Sequence, residues 1–344
     1  MKELQDYSHK RYNILSGEWV LVSPHRAKRP WEGQEEVVSS EKKISYDSGC
    51  YLCPGNTRAN GKVNDNYKDV FVFVNDFSAL QLNSSSYNFE NGLLRAHQEQ
   101  GICKVVCFSP DHSKTLADMS VEAIHKVVLV WQEEYRNLGD NDSINYVQIF
   151  ENKGAAMGCS NPHPHGQIWS QSSLPNEVEK KQKQQFEYYN ENQKSLLNSY
   201  LEQELQLNER ILFKNDHMVI LVPFWATWPY EVMIIPRCHK PHIGLMNEKE
   251  SYAFAEAISK LTKAYDRIFN CSFPYSSGIH QAPTDGLNHE YWHWHMSFYP
   301  PLLRSESVKK FMVGYEMFGM PQRDITPEQI AESLKKIFKI IKLW

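Results

Sequence analysis

The chain has little that directs a protein to a membrane, a secretory route or a nucleic acid. Its longest nearly apolar stretch covers about residues 218–228, whereas a membrane span needs roughly 20 apolar residues. The first six residues contain no apolar run, so we expect no secretory signal. Lys and Arg number 37 against 41 Asp and Glu, a formal charge of −4, which excludes the basic excess typical of nucleic-acid-binding proteins.

Cysteine is scarce and its count is odd, at seven in 344 residues. A disulfide framework is therefore not expected, and we predict a cytoplasmic protein whose thiols are free or bind metal. Apolar residues make up 41% and aromatic residues 12% of the chain, enough to bury a core and to exclude disorder. The length fits one large domain or two of ordinary size.

The two halves of the chain share a series of landmarks in the same order. Each half has an Asn-Asp pair, an apolar strand followed by a histidine, a helical stretch and a second histidine-bearing strand. His112 and His163 are 51 residues apart, and His239 and His293 are 54 residues apart. This spacing indicates a duplicated unit, with chance similarity between short strands as the alternative. We predict an N-terminal unit over 1–175 and a C-terminal unit over 176–344.

The local patterns predict an α+β fold with antiparallel sheets and helices packed on one face. Four predicted strands, rich in β-branched and aromatic residues, cover residues 70–74, 103–108, 146–150 and 166–170. Helices are predicted over 120–138, with Ser120 as N-cap, and over 248–269. A long, exposed connecting helix is predicted over 176–210, and residues 326–329 form a capping box that opens a C-terminal helix.

The segment from His163 to Gln167 carries the clearest chemical signal. Alternate residues of a strand share a face, so His163, His165 and Gln167 are predicted to line one surface. Because Pro164 cannot donate to a ladder, we expect this strand at a sheet edge or opening. The preceding small, glycine-bearing run over 152–162 can present backbone N–H groups to a phosphate. The pattern favours a histidine nucleophile for phosphoryl transfer, with a pair of structural histidines as the alternative.

Cys50 and Cys53 form a CxxC unit, which is compatible with redox chemistry, metal binding or free surface thiols. No βαβ pattern surrounds it, so a redox motif is disfavoured. A zinc site needs two further ligands, and the repeat brings the turn at His112 close to the His163 strand. We predict one structural zinc per chain, held by Cys50, Cys53, His112 and His163. Four protein ligands leave no open coordination position for catalysis.

Long segments of the chain resemble the galactose-1-phosphate uridylyltransferase family of the histidine-triad superfamily. The matching strings include Phe108-Ser109-Pro110-Asp111-His112. They cover residues 11–13, 23–30, 108–115, 152–169, 299–305 and 310–316. Histidine-triad hydrolases carry a third histidine at the position of Gln167, and glutamine there is typical of the transferase branch.

The resemblance implies a double-displacement reaction in galactose metabolism. UDP-glucose gives its UMP group to His165, glucose 1-phosphate leaves, and galactose 1-phosphate then takes the UMP to form UDP-galactose. The His163 carbonyl is expected to hold one ring N–H of His165, and the zinc to anchor His163. Gln167 and Ser160 are expected to stabilise the charge on the phosphoryl oxygens.

The resemblance also implies two sets of binding residues and a homodimer with shared active sites. The expected nucleotide contacts are Arg26, Arg29, Asn75, Asp76, Asn152, Gly158, Cys159, Ser160 and Gln167. The expected hexose-phosphate contacts, reaching in from the second subunit, are Lys310, Phe311, Val313, Tyr315, Glu316 and Gln322. The simpler interpretations are a solvated basic turn for the two arginines and plain core for Phe311 and Val313.

This chain differs from many family members at the four residues that match a second metal site. Many members hold a second metal with one glutamate and three histidines, and the matching residues here are Lys181, His280, His295 and Ser297. Since lysine is cationic at neutral pH and serine is a poor ligand, we expect no metal at this second site. We further suggest that the Lys181 ammonium stands where the cation would be; projection into solvent is the alternative.

Other functions compatible with the sequence are a nucleotide-sugar phosphorylase, a dinucleoside polyphosphate hydrolase, or a non-catalytic zinc-bound nucleotide sensor. Gln167 argues against hydrolysis, and the hexose-phosphate segment argues for a sugar-phosphate acceptor. An intact His165 argues against a sensor.

Overall fold

The computed structural model describes residue 4 and residues 6–28, 44–82 and 87–341. Strands of the first half are β1 His9–Asn13, β2 Glu18–Val22, β3 Phe71–Val74, β4 Phe89–Asn91, β5 Leu94–Ala96, β6 Gly101–Cys107, β7 Tyr146–Lys153 and β8 His165–Gln171. Those of the second half are β9 Ile211–Lys214, β10 Met218–Leu221, β11 Val232–Pro236, β12 Tyr275–His280, β13 His295–Tyr299 and β14 Gln322–Arg323. The helices are α1 Val121–Gly139, α2 Asn176–Asn192, α3 Leu196–Leu207, α4 Glu248–Ile268, α5 Tyr315–Phe318 and α6 Pro327–Ile341.

Nine strands form one antiparallel sheet with the order β3-β6-β8-β7-β12-β13-β11-β10-β9. The order is symmetric about the β7–β12 pair, since β6-β8-β7 in one half mirrors β11-β13-β12 in the other. The histidine pairs agree: the ring centroids of His112 and His163 are 5.4 Å apart, and those of His239 and His293 are 5.3 Å apart. The predicted α+β fold of two tandem units is confirmed.

Helices cover both faces of the C-terminal half of this sheet, so the expectation that all helices pack on one face is wrong. Buried side chains of α1, α4 and α6 share one large core with alternate strand residues such as Ile220 and Ile234. The intervening residues Leu221 and Ile235 point the other way and pack against α3. Because β10 and β11 are buried on two faces, both are continuous apolar runs rather than alternating ones.

Helix termini agree with their local signals, whereas the connecting helix does not. Ser120 caps α1 by accepting from Ala123 N, as predicted. The single exposed helix expected over 176–210 is wrong. Gln193 adopts a left-handed conformation (φ 55°) that ends α2, and Ser195 caps a new helix, α3. Both helices bury one side: that of α3 is mainly apolar, whereas α2 buries Val178 together with the polar residues Lys181 and Gln185.

The strand with the two catalytic candidates does not lie at a sheet edge, which was one of the two positions that Pro164 suggested. It begins beside an opening, because residues 151–153 of β7 pair with β12 and not with β8. β8 lies between β6 and β7 and pairs with both. Pro164 is tolerated because it precedes the strand, where only its carbonyl is used, accepting from Phe108 N at 2.9 Å. No helix among the described residues is long and apolar enough to cross a membrane.

A small sheet of β1, β2 and β14 is fixed to the C-terminal helix by a buried ion cluster. Both guanidinium nitrogens of Arg11 bond Glu328 at 2.8 Å, and Arg210 bonds the same carboxylate at 2.7 Å. Each arginine side chain is 2% exposed. Burial alone would raise the pKa of Glu328, but the two arginines lower it to about 2.

We expect Glu328→Gln to lower the free energy of unfolding by about 3 kcal/mol at pH 7, because two buried cations lose their shared carboxylate. Since the folded-state pKa is depressed, the stabilisation is present above about pH 4.5 and is lost as pH falls toward 2. Urea unfolding of parent and variant checks both points. The control is Glu332→Gln, whose partner Lys336 is exposed and whose loss is expected to cost less than about 1 kcal/mol. Equal effects of the two variants would contradict the prediction.

Candidate functional site

The β8 strand presents His165 and Gln167 on the same face, as alternation requires. Gly166 between them faces the opposite side, where the sheet is tightly packed. A Cβ at Gly166 would lie 2.8 Å from Phe108 Cζ and 2.9 Å from the carbonyl oxygen of Phe150. Glycine is therefore required at this position. It allows β8, which carries His165 and Gln167, to pack closely against Phe108 and Phe150.

A glycine-bearing loop borders the same face. A short 3-10 turn over Ala155–Met157 ends at Gly158, whose φ of +78° favours glycine. The loop and the strand enclose a small cleft. Its lining residues are Asn152, Gly158, Cys159, Ser160, His165, Gly166 and Gln167. The structure therefore gathers around His165 five of the residues expected to contact the nucleotide.

His165 is held in one orientation by the backbone. Its Nδ1 lies 2.7 Å from the carbonyl oxygen of His163, the bond expected from the sequence. A carbonyl only accepts, so Nδ1 carries the proton and Nε2 keeps its lone pair. Burial lowers the pKa of His165, and the carbonyl bond opposes this only in part. The ring is thus prepared as a neutral nucleophile.

Gln167 is oriented by a neighbour that the sequence reasoning missed. Trp169 donates its indole N–H to Gln167 Oε1 at 3.0 Å. Because an indole can only donate, the carbonyl end of the amide must face Trp169, and its NH₂ group remains available. Trp169 is itself held edge-on against Phe150, with ring centroids 5.8 Å apart. Strand alternation is the signal that could have paired residues 167 and 169.

The four predicted metal ligands form one buried cluster. The ligand atoms of Cys50, Cys53, His112 and His163 all lie within 4.8 Å of one another. Cys53 Sγ is 3.6 Å from Nδ1 of His112 and 3.6 Å from Nδ1 of His163. A tetrahedral ion with Zn–S of about 2.3 Å and Zn–N of about 2.0–2.1 Å requires S···N edges of about 3.6 Å. The cluster therefore fits a tetrahedral metal ion.

Further side chains around the cluster were not predicted from the sequence. His163 Nε2 lies 2.9 Å from the Ser109 carbonyl oxygen and 3.0 Å from the Tyr67 hydroxyl. The carbonyl holds the proton on Nε2 and leaves Nδ1 free to bind a metal. Asn161 donates to Cys50 Sγ at 3.4 Å and accepts from His163 N at 2.9 Å. These residues fix the geometry of the ligands.

The protonation of the cluster also fits metal binding. Burial raises the pKa of Cys53 to about 11, so a metal ion has to displace the thiol proton when it binds. Burial and the neighbouring His112 lower the pKa of His163 to about 4. The imidazole is therefore neutral at pH 7, the form that binds metal.

Other residues expected to contact the nucleotide lie outside the His165 cleft. Asp76 lies beyond the end of β3, 3.4 Å from Arg58, and Asn75 donates its backbone N–H to the Cys103 carbonyl. Arg26 pairs with Asp324 at 3.2 Å. Arg29 lies outside the described residues. Arg26, Asn75 and Asp76 are not among the described residues that line the cleft.

The expected hexose-phosphate residues form a separate, partly exposed group. Phe311 and Val313 are 38% and 57% exposed, so the interpretation of these two as plain core is wrong. Tyr315 is 54% exposed. Lys310 pairs with Glu316 and also lies 3.4 Å from Gln322 Oε1. None of the six lines the cleft at His165 within the part of the chain that the structure describes.

The four residues that match the family's second metal site form a second cluster, which lies in the C-terminal half. Lys181, His280, His295 and Ser297 line one cavity of about 280 Å³. Lys181 is buried, and its Nζ lies 2.9 Å from the ring nitrogens of His280. Projection of Lys181 into solvent is therefore excluded. Burial lowers the pKa of Lys181 to about 7, against the opposing charges of Glu177 and Glu231.

Known proteins are similar to this chain over nearly its full length. The family profiles for the N-terminal and C-terminal domains of galactose-1-phosphate uridyl transferase match residues 1–175 and 177–344. A galactose-1-phosphate uridylyltransferase from Haemophilus influenzae is 49% identical, covering 98% of this chain and 97% of that protein. One from Saccharomyces cerevisiae is 42% identical, covering 97% and 96%.

Solved structures share the fold. A structure described as a uridylyltransferase has a TM-score of 0.76 at 26% identity, covering 96% of this chain and 99% of that chain. An ADP-glucose phosphorylase from Arabidopsis thaliana with bound ADP-glucose has a TM-score of 0.77 at 24% identity, with the same coverage. The sequence matches and the shared fold together show that this chain belongs to the galactose-1-phosphate uridyl transferase family.

Proposed function

We propose that this protein transfers the uridylyl group of UDP-glucose to galactose 1-phosphate through a uridylyl-histidine intermediate. The observation that carries the proposal is the His165 Nδ1 bond to the His163 carbonyl at 2.7 Å, beside the small cleft lined by Ser160 and Gln167. That bond leaves Nε2 with a free lone pair. Family membership supplies the substrate class, because the curated relatives are named galactose-1-phosphate uridylyltransferases.

The reaction is two displacements at one phosphorus atom. In the first, His165 Nε2 forms a bond to the α-phosphorus of UDP-glucose, and the bond to glucose 1-phosphate breaks with its electron pair. In the second, a phosphate oxygen of galactose 1-phosphate attacks the same phosphorus, and the N–P bond breaks to return the lone pair to His165. The nucleophile is a neutral imidazole lone pair in the first step and a phosphate oxyanion in the second, so neither step needs a general base.

Charge that develops on the phosphoryl oxygens is stabilised by groups of the cleft. The NH₂ of Gln167 is available because Trp169 occupies its carbonyl. Ser160 borders the same space. The backbone N–H groups of Met157, Gly158 and Cys159 donate to the carbonyl oxygens of Gly154 and Ala155 within the loop, so the expected backbone donors for a phosphate are already used. Donors fixed before the reaction stabilise such charge without reorganisation. Asn152 and Cys159 complete the nucleotide side of the cleft.

We infer that the metal held by Cys50, Cys53, His112 and His163 is a structural zinc. When bound, a four-ligand zinc supplies rigidity and no Lewis acid at the reacting phosphorus. His163 uses its side chain for the cluster and its carbonyl for His165, so the cluster fixes the nucleophile's orientation. Thiolate ligands favour the reducing cytoplasm as the protein's location.

We propose that the second cluster holds no metal and that Lys181 takes the place of the cation. Its amine lies 2.9 Å from His280, so Nζ already fills the space beside that ring where a metal ion would bind. The replaced ligands leave only His280 and His295 as good donors, which is too few for a closed site.

We propose that the active site is completed across a homodimer. The hexose-phosphate group is separate from the His165 cleft within one chain. Met317 and Phe318 beside it are 70% and 91% exposed, which is typical of a surface covered by a partner. Arg26, Asn75 and Asp76 remain predicted nucleotide contacts in the assembled site.

Mixing two inactive variants tests the shared site. We expect His165→Ala and Lys310→Ala to be nearly inactive separately, and a refolded mixture to recover up to about a quarter of parent activity, because half of the dimers are mixed and one of their two sites lacks both defects. The measurement is UDP-galactose formation at equal total protein. His165→Ala mixed with Gln167→Ala is the control and stays inactive, since both changes fall in one cleft. No recovery in the first mixture would contradict the shared site.

The proposed function is tested by incubating the protein with UDP-glucose and galactose 1-phosphate and following UDP-galactose. Transfer without release of UMP supports the proposal. Release of UMP would indicate a hydrolase, and product formation only with inorganic phosphate would indicate a phosphorylase. Binding of UDP-glucose with no turnover would indicate a sensor.

A further inference from the structure

Asp324 follows β14 and is buried between Gln322, an expected hexose-phosphate contact, and Arg26, an expected nucleotide contact. Its Oδ1 accepts from Gln322 Nε2 at 2.7 Å and lies 3.2 Å from Arg26 Nε. Asp324 is 8% exposed, whereas the Arg26 side chain is 49% exposed. The carboxylate is therefore an anchored group, and the guanidinium is the part that reaches into solvent.

The bond to Asp324 decides which end of the Gln322 amide is available. A carboxylate only accepts, so the amide NH₂ must face Asp324. On the other side, the Lys310 ammonium only donates and lies 3.4 Å from Gln322 Oε1. Both neighbours require the same orientation of the amide. Gln322 consequently presents its carbonyl oxygen to the cleft that it shares with Lys310, where a ligand hydroxyl can donate to it.

Backbone pairing places these groups together. β14 runs parallel to β2, with Gln322 opposite Leu21 and Arg323 opposite Val22. The 3-10 helix Pro24–Lys28, which carries Arg26, follows directly after β2. Ser23 N donates to the Arg323 carbonyl at 2.9 Å, and this closes the gap between the two segments. Residues almost 300 positions apart in the chain are thus held in one rigid corner.

We propose that Asp324 is a positioning residue that fixes Gln322 as a hydrogen-bond acceptor for a sugar hydroxyl and holds Arg26 for a substrate phosphate. This inference rests on the proposed function for its ligand, a hexose 1-phosphate. Asp324 is proposed to act through these two neighbours.

The first test is Asp324→Ala in the full-length protein. We expect the KM for galactose 1-phosphate to rise at least about tenfold, the scale of one charge-assisted hydrogen bond, with kcat changed less than about threefold. Asp69→Asn is the control, since Asp69 forms an exposed ion pair with Lys126; its KM should equal that of the parent. A parallel fall of kcat and thermal stability with unchanged KM would assign Asp324 a purely structural role and overturn the proposal.

The second test exchanges the polarity of the bond. Gln322→Glu alone sets a carboxylate against Asp324, and we expect at least a tenfold rise in KM. Adding Asp324→Asn restores a donor–acceptor pair and again leaves an acceptor oxygen facing Lys310. The double variant should therefore have a lower KM than Gln322→Glu alone. Asp324→Asn is also measured alone. If the rise in KM of the double variant equals the product of the rises in the two single variants, Asp324 does not orient Gln322 and the proposal is overturned.

Equilibrium binding of galactose 1-phosphate to the same variants separates this inference from the proposed function. If the parent binds the sugar phosphate without transferring UMP, the function fails, and the dissociation constants still decide the role of Asp324. If the parent transfers UMP and Asp324→Ala keeps the parent KM and dissociation constant, the inference fails and the function stands. If the parent neither binds nor transfers, both fail.

Discussion

Replacing His165 by alanine is expected to lower the transfer rate by at least about 10⁴-fold, the scale seen when a covalent nucleophile is removed. The backbone carbonyl of His163 holds Nδ1 of the ring and leaves the Nε2 lone pair free at the cleft. UDP-glucose binding should persist, because the other lining residues are unchanged. Initial rates of UDP-galactose formation and calorimetric titration with UDP-glucose check the two parts.

The intermediate provides an independent check on the nucleophile. After incubation with UDP-glucose labelled in the uridine, the parent should carry an acid-labile adduct on the peptide containing residues 163–167, and His165→Ala should carry none. His97→Ala is the matched control, because His97 is an exposed histidine, and full activity is expected. An adduct located on His163 would refute the assigned roles.

Loss of the metal cluster is expected to have the largest effect on stability. Parent protein should contain about one zinc per chain, and Cys50→Ser should contain almost none. Structural zinc contributes directly to folding, so the variant should lose several kcal/mol of stability. Activity should fall as well, because His163 orients His165 through its carbonyl. Metal analysis, melting curves and transfer rates measure these three effects.

The matched control is Cys238→Ser, since Cys238 is exposed and lies outside the cluster. It should keep the metal, the melting temperature and the activity of the parent. Unchanged metal content in Cys50→Ser would disprove the ligand set. Two equivalents of metal in the parent would instead overturn the proposal that Lys181 replaces the second cation.

The sequence alone predicted the features that depend on local backbone geometry. Alternation along a strand placed His165 and Gln167 on one face, and a spacing of three residues gave the Ser120 cap of α1 and the capping box of α6. These features follow from backbone periods that any strand or helix has. The CxxC spacing and the internal repeat extended this to His112 and His163, whose place in the cluster is confirmed.

Local patterns predicted less well where tertiary contacts determine the length of a helix or the position of a strand in the sheet. The polar stretch over 176–210 predicted one exposed helix, yet packing on the sheet divides it into α2 and α3. Of the two positions that Pro164 suggested, the sheet edge is wrong, because a proline before the first ladder bond does not prevent pairing on both sides. In each case the prediction suits an isolated segment, and contacts with the rest of the protein determine the structure that the segment adopts.

The sequence by itself determined the family, the tandem fold, the strand that carries His165 and Gln167, and the four residues of the buried cluster, because each is encoded in neighbouring residues or in a repeated spacing. Only the tertiary structure decided which side chains from distant segments meet. Tyr67 and Asn161 bond residues of the cluster, Glu328 shares its carboxylate between two arginines, and Asp324 contacts Arg26. These partners come from segments far apart in the chain. Their distances depend on how the sheets and loops pack, which no local period specifies.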